Sequence, residues 1–405
     1  MVQFARTARE AQGSVVREIL KVTARPEVIS LAGGLPAPEL FPVEGLARVA
    51  ARVFARDGAP ALQYSTTEGH PPLREWIARD LTRRGAESAP EDVVVTAGSQ
   101  QALELAGRLF LEPGAVAVVE EPGYLAAIQA FRLAGAELVG VPVDAGGLDL
   151  EALDAVCRRR QVRVVYTVSE FQNPTGVTLA AERRARLVEL AERHGFVVID
   201  DNPYGPLRYE GAVPKPVASG RRAAQAALEG PGRVVTLGSF SKVLAPGLRL
   251  GYVMAARPVI ERLVYVKQAA DLHTSSLGQR IAAEFLATED LEGHLARLRA
   301  EYARRRDGLL AGLPDALPVG STWTRPEGGM FVWATLPAGW DAMALFRAAV
   351  EANVAFVPGS AFYTDPAHGE APRTLRLNFS NSAPARLDEA LGRLRHAARR
   401  LEGER

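Results

Sequence analysis

The stretch RVVTLGSFSKVLAPGLRLGYVMA, Arg233 to Ala255, sets two apolar runs around a polar turn that holds a single lysine, Lys242. Short apolar runs that end abruptly in glycine, serine or acids recur on both sides of it. They are DVVVTAG from Asp92, AVAVVEEP from Ala115, RVVYTVSEFQNP from Arg163, GFVVIDD from Gly195, RVVTLGSFS itself and LGYVMA from Leu250. Amphipathic stretches lie between several of them, such as SQQALELAGRLF after Gly98 and AERRARLVELAERHG before Phe196. Strand-length runs alternating with helical patterns imply parallel strands joined by helices. The expectation is an α/β domain over residues 45–285. A long amphipathic helix follows, around Leu291 to Leu313, with its arginines expected toward solvent. The strand-like GGMFVWATL, VAFVPGSAF and TLRLNFS and a closing helix, Pro384 to Leu401, complete a smaller α+β domain over residues 286–405. Residues 1–44 are expected to form an N-terminal helix and arm that join the small domain.

The chain has 405 residues, 47% of them apolar and 23% charged, with 48 basic against 47 acidic side chains. A net charge of +1 gives no field to attract nucleic acid or an anionic membrane. No nucleic-acid or membrane partner is therefore expected. One cysteine, Cys157, excludes an internal disulfide and a cysteine cluster for a metal, so no metal is expected. The first residues lack the apolar run of a signal peptide, and no apolar stretch approaches the roughly 20 residues of a membrane helix. A cytoplasmic protein is the expectation.

Only four of the basic residues are lysines, Lys21, Lys215, Lys242 and Lys267. Arginine supplies charge equally well, but guanidinium cannot lose its proton and attack a carbonyl. In so arginine-rich a chain, Lys242 is a candidate for that chemistry, although composition alone leaves it a surface lysine.

Open α/β sheets place ligands beyond the carboxyl ends of their strands, and unusual residues gather there. At TAGSQQ the free N–H groups of Ser99 and Gln100 would face an anion with the helix dipole behind them, although alone Ser99 reads as a helix cap. Ser239, Ser241 and Arg249 around Lys242 could complete a phosphate cup. Asp201 ends an apolar run, where a carboxylate needs a cation or donors, with Tyr204 three residues on. Alone, DDNPY is a solvated turn. Asn173 precedes a proline that restricts its backbone, and Tyr124 could stack on a flat ring or pack in the core. Together these pieces suit pyridoxal 5′-phosphate, which requires a reactive amine, a phosphate cup and an acid for its ring nitrogen.

The chain resembles the fold type I pyridoxal-phosphate enzymes of the aspartate aminotransferase superfamily. The residues that carry the likeness are Asn173-Pro174-Thr175-Gly176, Asp201 with Tyr204, Ser239-Phe240-Ser241-Lys242, and Arg249 seven residues after the lysine. It is most similar to the kynurenine/2-aminoadipate aminotransferase group, through Leu31 to Pro36, Leu62 to Ser65, Thr96 to Leu103, Ala270 to Thr274, and the runs from Gly328, Val354 and Thr374.

The resemblance implies a large, mostly parallel, seven-stranded sheet with helices on both faces. It implies that Lys242, Asp201 and Tyr204 carry the catalysis, with Lys242 holding the cofactor as a Schiff base and moving the Cα proton of an amino acid. Asp201 would pair with the ring nitrogen, Tyr204 and Asn173 with the ring oxygen, and Tyr124 would stack on the ring. Ser99, Gln100, Ser239, Ser241 and Arg249 would hold the phosphate, with Tyr64 reaching it from the other subunit of a homodimer. Asn173, Arg376 and Gly34 would receive the substrate. Ser14 and Arg17, three apart and so on one face of a helix, would read its side chain, although an N-cap and a surface arginine fit those two equally well. The implied reaction is transfer of an amino group from 2-aminoadipate, glutamate, leucine, kynurenine or an aromatic amino acid to 2-oxoglutarate or another 2-oxo acid. A β-lyase or decarboxylase on the same scaffold stays open, as does, more remotely, a sensor of amino acids or cofactor.

Overall fold

A computed structural model describes residues 3–4, 9, 19, 25–219 and 230–403. Ser14 and Arg17 lie outside the described residues. The first strand among the described residues is β1 (Ile29–Ser30). Strands β2 (Val93–Thr96), β3 (Val116–Glu121), β4 (Glu137–Asp144), β5 (Gly147–Leu148), β6 (Val162–Thr167), β7 (Val197–Asp201), β8 (Val234–Ser239) and β9 (Gly251–Met254) form one sheet in the order β2-β9-β8-β7-β6-β3-β4-β5. Strands β4, β3, β6, β7 and β8 run parallel, while β9 is antiparallel to both of its neighbours. Two reversals restore direction, so β2 points the same way as β8.

The apolar runs are strands because both sheet faces are covered: every residue of β2 is buried, as are five of the six in β3 and in β8. Such strands read as continuous rather than alternating apolar runs. Two strands have no counterpart among the runs read from the sequence. Half-exposed β4 contains Gly140 and Pro142, which dilute its apolar signal, and β5 is a two-residue hairpin partner of β4 that brings the sheet to eight strands.

The helices are α1 (Val43–Leu62), α2 (Pro71–Arg83), α3 (Ser99–Phe110), α4 (Leu125–Leu133), α5 (Leu150–Arg159), α6 (Ala181–His194), α7 (Arg257–Asp271), α8 (Ser276–Thr288), α9 (Leu291–Ala316), α10 (Ala342–Glu351) and α11 (Pro384–Gly403). In α3 the buried Ala102, Leu103, Leu105 and Ala106 form the apolar stripe that packs on the sheet. A second sheet of β10 (Thr322–Trp323), β11 (Phe331–Thr335), β13 (Val357–Pro358) and β14 (Thr374–Asn378) has the order β10-β11-β14-β13 and is antiparallel throughout. Strand β12 (Val354–Ala355) instead pairs in parallel with β1. That pairing anchors the segment leading into Leu31–Gly34.

The arginines of α9 do not all face solvent. Arg305 is 2% and Arg306 6% exposed. Arg305 binds Glu301, Glu39 and the Ser380 carbonyl, and Arg306 binds Glu210 and the Pro326 carbonyl. The helix runs through the protein's interior as well as along its surface, and each buried guanidinium meets one acid distant in sequence, Glu39 or Glu210, which periodicity does not reveal.

Candidate active site

Five parallel carboxyl ends, those of β2, β3, β6, β7 and β8, open at one edge of the large sheet. Beyond them lies a cavity of about 430 Å³. Its lining brings together Gly34, Ser99, Gln100, Tyr124, Asn173, Asp201, Tyr204, Ser239, Ser241, Lys242, Arg249 and Arg376, residues spread over more than 340 positions.

Lys242 sits in the turn after β8, and its Nζ donates to the Gly34 carbonyl at 2.7 Å. Burial and the nearby Arg376 and Arg249 charges lower its pKa to about 8, so the neutral amine is within reach at physiological pH. Cofactor-free protein should therefore acylate at Lys242 with a midpoint near pH 8, well below that of an ordinary lysine. Peptide mapping after a pulse of acylating reagent at several pH values measures it. A midpoint near 10.5, the ordinary lysine value, would contradict the geometry.

Arg376, on β14, is held by donation from Nη1 to Asn173 Oδ1 at 2.7 Å and from Nη2 to the Ala32 carbonyl at 2.6 Å. Phe331 and Phe362 place their rings 4.3 and 4.9 Å from its guanidinium carbon. Burial lowers its pKa to about 10. Among the described residues it pairs with no carboxylate, and its Nε has no partner. A buried cation without a counterion is costly, and an anionic substrate group would relieve that cost.

Asp201, at the end of β7, accepts from Tyr166 Oη at 2.8 Å through Oδ2, while its buried Oδ1 has no partner among the described residues. Burial, opposed by the Tyr166 bond, raises its pKa to about 7. A cationic ring nitrogen would satisfy Oδ1 and return the acid to its charged form. Burial likewise pushes Tyr124 up to about 12 and raises Tyr204 further, so both keep their protons.

The opposite wall is built for an anion. Gly98, at φ 82°, breaks from β2 into α3, exposing the helix N-terminus at Ser99 and Gln100. A Cβ on Gly98 would come within 2.8 Å of Arg249 Nη2. Arg249 itself adopts φ 51°, a left-handed conformation that costs a non-glycine residue roughly 1–2 kcal/mol. That conformation places the guanidinium against the helix end. The Ser239 hydroxyl accepts from the Ser241 N–H at 3.1 Å.

Residues 26–394 match the family model described as aminotransferase class I and II. The chain belongs to that family. It is 43% identical to the aromatic-amino-acid aminotransferase 1 of Thermococcus litoralis over 96% of this chain and 93% of the relative. It is also 43% identical to the 2-aminoadipate transaminase of Thermus thermophilus, over 98% and 97%. The solved alpha-aminoadipate aminotransferase from Thermus thermophilus, complexed with N-(5′-phosphopyridoxyl)-L-leucine, superposes with a TM-score of 0.89 at 41% identity, covering 99% of this chain and 98% of that one. The aminotransferase described here is a pyridoxal-phosphate enzyme of fold type I.

Its cavity also contains residues that the sequence did not single out: Leu125, Ala126, Gln129, Val168, Pro203 and Phe362. Their types are common everywhere, and only their place beside known strand ends could have marked them. Under the Asn173 turn lies a further network. Gln172 donates to Glu120 Oε2 and the Pro122 carbonyl, while its Oε1 accepts from Thr175 N–H and Oγ1. Tyr64 does not line the cavity of its own chain; it is 78% exposed, edge-on to His273. Among the described residues no helix is long and apolar enough to cross a membrane, and no three or more His, Cys, Asp or Glu side chains gather where they could hold a metal ion.

Proposed function

We propose that this aminotransferase moves the amino group of a broad set of amino acids, 2-aminoadipate, glutamate, leucine, kynurenine and aromatic amino acids among them, to 2-oxoglutarate or a similar 2-oxo acid. The observation that carries this reading is the unpaired, buried Arg376 on the same cavity as the low-pKa Lys242. A carboxylate held by the first brings its Cα to the second. The named relatives support the range of donors, since their own names include both an aromatic and an acidic substrate.

The residues present fit pyridoxal 5′-phosphate: the orphaned Asp201 Oδ1 matches a ring nitrogen, and the glycine-opened helix end with Arg249, Ser239 and Ser241 matches a phosphate. When bound, the cofactor supplies a carbonyl carbon for amines and a ring that withdraws electrons from Cα. Lys242, whose Nζ lies in this cavity, would hold the cofactor through that carbonyl and would serve as general base and acid for the Cα proton. Asp201 would keep the ring nitrogen protonated through its free Oδ1. Tyr204 and Asn173 would donate to the ring oxygen, and Tyr124 would cover the ring. Arg376 and Asn173 orient the α-carboxylate, and Gly34 leaves room beside Phe331, whose ring a Cβ there would meet at 3.3 Å.

The same reading assigns residues 45–285 to a cofactor-binding domain, 286–405 to a small domain and 1–44 to an arm. Containment of the eight-stranded sheet in the first and the four-stranded sheet in the second supports that division. A homodimer belongs to the same reading, with Tyr64, exposed beside the exposed Leu62 and Leu272, reaching the partner's cavity; that exposure is compatible with it. Ser14 and Arg17 remain candidates for reading the distal carboxylate of acidic donors.

The test is a half-reaction. Cofactor-loaded protein is mixed with each amino acid in turn, following the absorbance of the bound cofactor and release of the 2-oxo acid. Conversion by 2-aminoadipate, leucine and kynurenine, reversed by 2-oxoglutarate, is the expected result. Ammonia release that requires no oxo-acid acceptor would make the enzyme a lyase instead.

A further inference from the structure

Strands β6 and β7 pair in parallel with Tyr166 opposite Ile199 and Thr167 opposite Asp200. Side chains alternate along a strand, so Tyr166, Ile199 and Asp201 share one sheet face while Thr167 and Asp200 share the other. On the first face the Tyr166 hydroxyl reaches along β7 to Asp201 Oδ2 at 2.8 Å. Tyr166 is fully buried and does not line the cavity. Phe131 packs edge-on against its ring, centroids 5.9 Å apart, which fixes the direction of the hydroxyl. Burial and the adjacent Asp201 hold the phenol protonated, so it donates.

We propose that Tyr166 is a positioning residue: by occupying Oδ2 it fixes the rotation of the Asp201 carboxylate, so that Oδ1 alone is presented to a cationic aromatic nitrogen in the cavity. This rests on the reading of the cavity as the pyridoxal-phosphate site. Without the hydroxyl, the carboxylate has two unsatisfied oxygens in a buried place, binds a proton more readily and loses its single orientation. The other groups that act on this carboxylate are Asp200 beside it and the phenols of Tyr124 and Tyr204 across the cavity. None of them is hydrogen-bonded to Asp201 Oδ1.

Tyr166→Phe keeps the ring and removes only the donor. In cofactor-loaded protein three quantities are read: the pH titration of the visible absorbance, the rate of cofactor loss on dialysis, and kcat against KM. The variant should titrate with a displaced midpoint and lose cofactor about tenfold faster, as expected for one hydrogen bond to a charged group. It should lower kcat by a similar factor while leaving KM for the amino donor within about twofold.

A purely packing role would lower the melting temperature and leave the titration and cofactor retention unchanged, and that result overturns the proposal. The second measurement repeats the change in an Asp201→Ala background, which leaves no acceptor for the Tyr166 hydroxyl at that position. A residue acting through Asp201 has no further effect on cofactor retention there, whereas an undiminished effect sinks the idea. Wild-type protein that retains no pyridoxal phosphate would instead overturn the reading of the cavity, a failure visible before any variant is made.

Discussion

Lys242→Ala should lower turnover by roughly 10⁴-fold or more, at and beyond the upper range of a single general base, because the same amine also makes the covalent link to the cofactor. Lys242→Arg should fail equally. The second variant decides between two roles that the first leaves mixed. If Lys242 served only as a charge, arginine would restore much of the rate, since the cavity already tolerates the Arg249 and Arg376 cations. If the amine itself is needed, guanidinium cannot substitute, because it neither loses its proton at pH 7 nor attacks a carbonyl. Borohydride reduction supplies the matching readout. Wild-type protein should retain cofactor covalently on the peptide containing Lys242, and neither variant should. Near-normal turnover in either variant would remove the lysine from the chemistry.

Asp201→Asn is expected to cut the rate on the order of 10²- to 10³-fold, the usual effect of losing one preorganised electrostatic partner of the reacting system. The same change should make the cofactor-free protein more stable at neutral to alkaline pH. The sign follows from linkage. The pKa of Asp201 is raised from 3.8 to about 7, mainly by burial, so the folded protein holds a proton that the unfolded chain has already released. Stability from this group is therefore full below 3.8 and is lost as pH rises through about 7. Asparagine carries no such penalty. Its denaturation midpoint relative to wild type should thus improve as pH rises from about 4 to about 7 and level off above that. Neighbouring Asp200, raised to about 6 by its own burial, contributes a slope of the same sign in both proteins. An unchanged difference between the two proteins across that range would mean that Asp201 is not held in its acid form. Reduced function together with higher stability is what a charge kept for a ligand should show.

The large α/β fold was legible because its strands are buried on both faces, so each appears as an apolar run bounded by turn residues. Strand β4 escaped notice for the opposite reason: it lies near the sheet's edge, is half exposed and contains Pro142. Lys242, Asp201, Tyr204, Asn173 and the Ser99 helix end could be read because strand ends are local features, visible in a few consecutive residues. Arg376 could not be chosen from so many arginines without the family's pattern. Tyr166 left no signal, being one more aromatic in a strand.

By itself, then, the sequence determined the alternation of strand and helix, the local chemistry at each strand end, and the scarcity of lysine, with the neighbours Ser239, Ser241 and Arg249 marking Lys242 among the four. The tertiary structure decided what depends on distance between remote residues. It brought Gly34 and Arg376 to Lys242, left one oxygen of Asp201 unpaired, gave the buried Arg305 and Arg306 acids from distant parts of the chain, and joined Tyr166 to Asp201. The physical reason is that periodicity records only whether a side chain faces core or solvent. Which charge meets which is set by strand register and chain crossing, and these are fixed only when the whole core packs.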